Sequence, residues 1–111
     1  MPSDRSVCDD FTARLTPMGP VTGRNMFGGF GIFMDGLMFG LVAYDELYFK
    51  VDDGNRADYE SAGSRPFTYE GKSSPVEMSC WKIPPDVLPN DSGLIAWAEA
   101  AYEAAKRAKK K

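Results

Sequence analysis

The sequence predicts an α+β domain of two layers: an antiparallel five-stranded sheet with helices in the order α-βββ-α-ββ-α, the helices lying on the sheet's apolar face. Three observations lead there. Residues 25–51 alternate apolar positions with polar or glycine positions and break at tight-turn residues, as consecutive antiparallel strands do. Both ends of the chain carry apolar residues at helical spacing. The 111 residues, 43% hydrophobic and 13% aromatic, are enough for one core and one domain.

The first helix is expected over Asp4–Thr16, where Val7, Cys8, Phe11 and Leu15 make one apolar stripe and Ser3 or Asp4 supplies the cap. Thr16-Pro17-Met18-Gly19-Pro20 ends it, because proline cannot continue a helix without losing a hydrogen bond. Val21–Arg24 leads into a first strand, Asn25–Met34. Phe30, Ile32 and Met34 share one face of that strand, and Phe27, Gly29, Gly31 and Phe33 the other. Glycines between phenylalanines predict a bulge, a bend or a close backbone approach. Asp35-Gly36 between two apolar runs is a hairpin signal. The second strand is Leu37–Ala43, Tyr44-Asp45-Glu46 make the next turn, and the third strand is Leu47–Val51. Leu47, Phe49 and Val51 are expected inward and Tyr48 and Lys50 outward, in a meander with one wet face.

Asp52–Asn55 reads as a turn and cap, residues 55–62 as a short helix stopped by Gly63, and Phe67–Glu70 as the fourth strand. After a turn over Gly71–Pro75, Val76–Trp81 is the fifth, with Val76, Met78 and Cys80 alternating against Glu77, Ser79 and Trp81. A proline-punctuated connector, Ile83–Pro89, precedes a long helix from Gly93 to about Ala108, capped by Asp91 or Ser92. Its stripe of Leu94, Trp97, Ala98, Ala101 and Ala105 suits close packing on the sheet.

The chain has no histidine. This removes the commonest general base and zinc ligand together, along with any Ser-His-Asp or Cys-His site within the chain. Two isolated cysteines, Cys8 and Cys80, cannot alone hold a structural zinc; they can pair in principle, but reduced, buried thiols are the expectation. The acidic, polar start MPSDRSVCDDF carries no secretory signal. No apolar run approaches the roughly 18 residues a spanning helix needs. A cytoplasmic domain without cofactor, metal or membrane contact is expected.

Five of the 13 basic residues, Lys106, Arg107, Lys109, Lys110 and Lys111, form a tail over 106–111. That leaves eight basic residues against 16 acidic ones over 1–105, a net of −8. So acidic a body argues against nucleic-acid binding by the domain surface. The tail can at most give weak, salt-sensitive contact with phosphate, and a basic helix end also complements the helix dipole.

Several words of the sequence together resemble the N-terminal domain of the TfoX/Sxy family of bacterial competence regulators. They are Arg24-Asn25-Met26-Phe27-Gly28-Gly29, Gly31-Ile32-Phe33, Gly36-Leu37-Met38-Phe39-Gly40-Leu41-Val42 and Leu47-Tyr48-Phe49-Lys50-Val51-Asp52. Asn55-Arg56, Pro66-Phe67-Thr68-Tyr69, Met78-Ser79 and Pro84-Pro85-Asp86-Val87-Leu88 continue the likeness over nearly the whole chain. One departure is Cys80, where an aromatic residue is expected in many relatives. The resemblance implies a YgaC/TfoX-N-like fold. It also implies a non-enzymatic role in regulating DNA-uptake genes through a protein partner such as a transcription activator. Competence regulators of this kind carry a second, helical domain; this chain ends after the first and is expected to act as a stand-alone domain.

Candidate binding residues are Arg24, Asn25, Tyr48, Lys50, Arg56 and Trp81. Arg24, Asn25, Lys50 and Arg56, if they converge, make a small basic patch fit for an acidic peptide or a phosphate. The alternative is local pairing, Arg56 with Asp52 or Asp53 and Arg24 with a nearby carboxylate. Tyr48, Lys50 and Trp81 on the outer sheet face would form an aromatic surface for a partner or a second copy. A homodimer built through the sheet and a monomer with a wet outer face both remain open. The glycines Gly28, Gly29 and Gly31 lack the spacing and the helix context of a dinucleotide loop.

Overall fold

The structure, a computed structural model, describes residues 3–26, 29–70 and 75–109, with the backbone alone for 69–70 and 75–78. Helix α1 (Arg5–Leu15) and a 3-10 turn (Thr16–Met18) precede β1 (Val21–Met26), β2 (Gly29–Met34), β3 (Leu37–Ala43) and β4 (Glu46–Lys50). Helix α2 (Arg56–Ser61), β5 (Pro66–Glu70), β6 (Pro75–Lys82) and α3 (Asp91–Lys109) follow. All strand pairings are antiparallel, in the order β1-β2-β3-β4-β6-β5.

The α+β class and the antiparallel sheet stand, but the sheet has six strands, not five. The single strand expected over Asn25–Met34 is two, paired so that Met26 faces Gly29 and Val21 faces Met34. Only Val21 and Met26 of the six β1 residues are apolar and only Val21 is buried, so β1 shows no alternation that would mark it as a strand of its own. Phe27 and Gly28, the turn residues 71–74 and the tail residues Lys110 and Lys111 lie outside the described residues, as do the side chains of Val76 and Met78.

Local chemistry sets the element ends. The Asp4 carboxylate accepts from the Ser6 amide and caps α1. Asn90, rather than Asp91 or Ser92, caps α3: its side-chain oxygen accepts from the Gly93 amide at 3.2 Å. Asp35 (φ 52) and Gly36 (φ 78) make the β2–β3 hairpin with both residues left-handed, the conformation that Asp-Gly supplies. The register slips at Ile32/Phe33, where Phe33 faces Met38 and Ile32 faces Gly40, leaving Phe39 as the extra residue of a bulge.

The helix-side core holds Phe30, Ile32, Phe39, Leu47, Phe49 and Val51 against Phe11 and Leu15 of α1 and Leu94, Ala98, Ala101 and Ala105 of α3. The rings of Phe39 and Phe49 lie 6.1 Å apart, and Tyr102 meets Phe39 edge-on at 5.7 Å. Helix α1 comes so close to β1 that a Cβ on Gly23 would sit 2.3 Å from the Cys8 sulfur.

The expected wet face is not wet. Leu41, Ala43, Tyr48, Phe67 and Cys80 form a second buried cluster there, with Met26 at its border. Tyr48 points away from the helices as expected, yet it is only 8% exposed. Phe67 of the edge strand β5 folds edge-on against its ring at 4.9 Å. Two-sided burial removes the alternation signal for which face is core.

Phe49→Ala should cost about 3–5 kcal/mol in urea unfolding, since the ring is fully buried. Gly23→Ala should cost about 1–3 kcal/mol by overpacking. That penalty should shrink in a Cys8→Ala background, where the atom it meets is gone; an unchanged penalty would place the strain elsewhere.

Candidate functional site

The candidate residues are scattered. Arg24 is on β1, at one edge of the sheet, with its guanidinium 5.0 Å from the centre of the Phe33 ring and no ion pair among the described residues. Asn25 is exposed beside it, on the opposite face. Lys50, on β4, donates to the Ser79 hydroxyl at 2.6 Å. Arg56 of α2 pairs with Asp53 at 3.0 Å. Strands β2 and β3 stand between Arg24 and Lys50, so the four polar residues do not make one patch. The proposed aromatic trio also splits. Trp81 faces Phe49 across the β4–β6 ladder while Cys80 faces Lys50. Trp81 therefore lies on the helix side, near Tyr59, whereas Tyr48 and Lys50 lie on the other.

The basic tail is partly engaged. Arg107 donates to both oxygens of Asp52, at 2.6 and 2.8 Å, and ties the end of α3 to the β4–α2 turn. Lys106 pairs with Glu103 at 2.6 Å and lies 5.4 Å from the centre of the Tyr102 ring. Lys109 is exposed.

The two thiols and the Tyr59 phenol are buried, and burial favours their protonated forms. Burial raises the Cys8 thiol above its ordinary pKa and pushes the Cys80 thiol up to about 11. Tyr59 is raised further, first by burial and then by the neighbouring Cys80 and Asp58. Its hydroxyl has no hydrogen-bond partner among the described residues. The ring is held edge-on by Trp97 at 4.6 Å, beside a small cavity of about 190 Å³ between α2 and α3. Among the described residues no cluster of three or more acids and cysteines is placed to hold a metal ion. No helix among them is long and apolar enough to cross a membrane.

Two features were not read as functional from the sequence, although the first was expected there as a turn. One is the β3–β4 turn. It has two residues, Tyr44 and Asp45, both left-handed at φ 54 and φ 61. Asp tolerates this conformation; a bulky aromatic is strained in it. The turn is held from outside, because the Asp45 carboxylate accepts from the Asp4 amide at 2.8 Å and the Asp45 amide donates to the Ser3 hydroxyl at 3.2 Å. Tyr44 is 55% exposed, the one large hydrophobic so displayed among the described residues. Its ring lies 6.4 Å from Phe67. No Asn-Gly or Gly-Gly pair marks this turn in the sequence, so its geometry had no signal there.

The other feature is a groove of about 430 Å³ between the α2–β5 loop and the proline connector. Its walls include Tyr48, Pro66, Ile83, Pro84 and Pro85, and its polar atoms come from Glu46, Arg65 and Lys82. Both oxygens of Glu46 are engaged within the domain: Lys82 donates to one at 2.8 Å and the Tyr48 hydroxyl to the other at 3.3 Å. Burial first, and the Glu46 charge second, push the Tyr48 phenol up to about 12, so it remains a donor.

The buried thiol sets a pH dependence. In the unfolded chain Cys80 ionises near 9.0, whereas in the folded chain it keeps its proton to about 11. Between those values the unfolded state binds fewer protons. Stability is therefore full below pH 9 and falls by about 2–3 kcal/mol as pH rises to 11. Urea titrations from pH 8 to 11 should show this decline, and Cys80→Ala should flatten its first part. The part above pH 10, due to the raised phenols of Tyr48 and Tyr59, should persist.

The model of the TfoX N-terminal domain matches residues 13–105. No curated protein matches the chain. The matched span runs from within α1 through all six strands into the last turns of α3, so it takes in the outer cluster, the strained turn, the groove and all of the helix-side cluster except Cys8 and Phe11. The chain belongs to the TfoX N-terminal domain family.

Proposed function

We propose that the chain is a non-enzymatic regulatory domain that works by binding another protein, in competence-type control of DNA uptake with a transcription activator as the partner. Family membership supports the regulatory setting. The observation that carries the binding reading is Tyr44. Its left-handed backbone costs stability, its ring gains little burial, and the next residue of the turn, Asp45, is tied by two hydrogen bonds to Ser3 and Asp4, just ahead of α1, which hold the turn in place. Strain maintained by surrounding contacts at an exposed aromatic is the mark of a displayed contact residue. The neighbouring rings of Phe67 and Tyr48 give that contact a rigid base.

A catalytic reading has less support, since the thiols and Tyr59 are buried in their protonated forms. Nucleic-acid binding through the tail is also weaker, because Lys106 and Arg107 are already engaged within the domain.

Tyr44→Asn separates stability from function. Asparagine tolerates the left-handed region, so the variant should be about 1 kcal/mol more stable in urea unfolding. It should also lose most of the partner captured by the tagged protein from native lysate at moderate salt. Undiminished capture would overturn the reading. Sedimentation equilibrium of both proteins checks whether the partner is a second copy; a wild-type dimer that Tyr44→Asn dissociates would show that it is.

A further inference from the structure

The groove beside Tyr48 has the chemistry of a specific docking site. Its single carboxylate, Glu46, is neutralised from within by Lys82 and Tyr48. Arg65 lines the same groove, is exposed, and has no ion pair or side-chain hydrogen bond among the described residues. The groove thus holds two cations against one acid on a body whose net charge over 1–105 is −8. The remaining lining is mostly apolar, apart from Ser64, and its backbone is held in place. Proline fixes its own backbone angle and offers no N–H. The Pro84 carbonyl accepts from the amides of Val87 and Leu88 at 3.0 and 3.1 Å. The Ile83 amide donates to the Leu47 carbonyl and the Lys82 amide to the Arg65 carbonyl, both at 3.1 Å, and the Ser64 hydroxyl donates to the Lys82 carbonyl. Both walls are therefore pinned to the sheet or to each other before anything binds, which lowers the ordering cost of binding.

We propose that this groove docks an extended segment of a partner protein in which an aliphatic side chain stands next to a carboxylate. The aliphatic group lies against Pro66, Pro84, Pro85 and the Tyr48 ring, and the carboxylate takes the guanidinium of Arg65. A volume of about 430 Å³ falls within the range of ligand sites, about 300–1,000 Å³. The planar guanidinium matches a carboxylate with two parallel hydrogen bonds. A polyphosphate chain does not fit this chemistry, since a single free arginine sits on a strongly acidic body. Tyr48 touches Phe67, which neighbours Tyr44, so the groove and the displayed tyrosine lie along one aromatic strip. The inference rests on the protein-binding reading above and names the chemistry of the segment bound.

The test is an amide NMR titration of the ¹⁵N-labelled protein with two synthetic peptides, acetyl-Gly-Leu-Glu-Leu-Gly-amide and its glutamine counterpart. The glutamate peptide should shift the amides of Ser64, Arg65, Lys82 and Ile83 and bind about threefold to fivefold more tightly than the glutamine peptide. Arg65→Gln, at an exposed position, should erase that difference and leave the rest of the spectrum in place. Equal binding of the two peptides, shifts confined to the lysine-rich end of α3, or indifference to Arg65→Gln would each overturn the proposal. The lysate capture separates the two readings. Loss on Tyr44→Asn with none on Arg65→Gln overturns the groove and leaves protein binding standing. Glutamate-selective binding in the groove, with capture lost on Arg65→Gln but unchanged by Tyr44→Asn, overturns Tyr44 as the contact residue and leaves the groove as the docking site.

Discussion

The contact on which the rest depends is the meeting of Phe39 and Phe49 beneath α3. Phe39 is the extra residue of a bulge, and its ring is set between Phe49 on the neighbouring strand and Tyr102 on the helix. Gly40, next in the chain, leaves the space that the Phe49 ring uses: a Cβ there would sit 3.1 Å from that ring. Because both rings are wholly buried, the helix above must be thin, and the alanines of α3 make it so. The bulge, the glycine and the alanine stripe answer a single packing requirement.

Much of this was legible in the sequence. The helical spacing of Cys8, Phe11 and Leu15, the Asp35-Gly36 turn and the inward set Leu47, Phe49 and Val51 all read correctly, because each is a local pattern with one physical interpretation. The sixth strand, β1, was not legible, since Thr22, Gly23, Arg24 and Asn25 give it no hydrophobic alternation; only its pairing with β2 makes it a strand. Nor was the buried outer face. Tyr48 is a polar-tipped ring on the expected wet side, and only the docking of Phe67 from β5, a distant strand, removes it from water. The candidate patch around Arg24 and Arg56 failed for a similar reason: strand order is a non-local property, and it puts Arg24 at one edge of the sheet, with two strands between it and Lys50. The turn at Tyr44 was legible, but its left-handed strain was not, because strain is the absence of the residues that geometry prefers.

Charge in this domain is used mainly to fasten elements together. Arg107 grips Asp52, Arg14 reaches Asp91 and the Leu88 carbonyl, and Lys82 holds Glu46. Each link joins segments distant in sequence and lies near the surface, so each contributes little energy alone but fixes where an element ends. Arg65 does none of this among the described residues.

The element order also bears on how the molecule is made. The first four strands form a meander of neighbours, so their pairing needs no later part of the chain. Their cover does not arrive with them. The stripe that shields Phe39 and Phe49 belongs to the last element, α3, nineteen residues long. At typical rates of synthesis that helix alone takes about 1–4 s to build. For that interval, and while α2, β5 and β6 are added before it, the nascent chain presents an uncovered aromatic sheet. Such a surface is what holding chaperones recognise, and it makes the emerging chain more prone to aggregation than the finished domain.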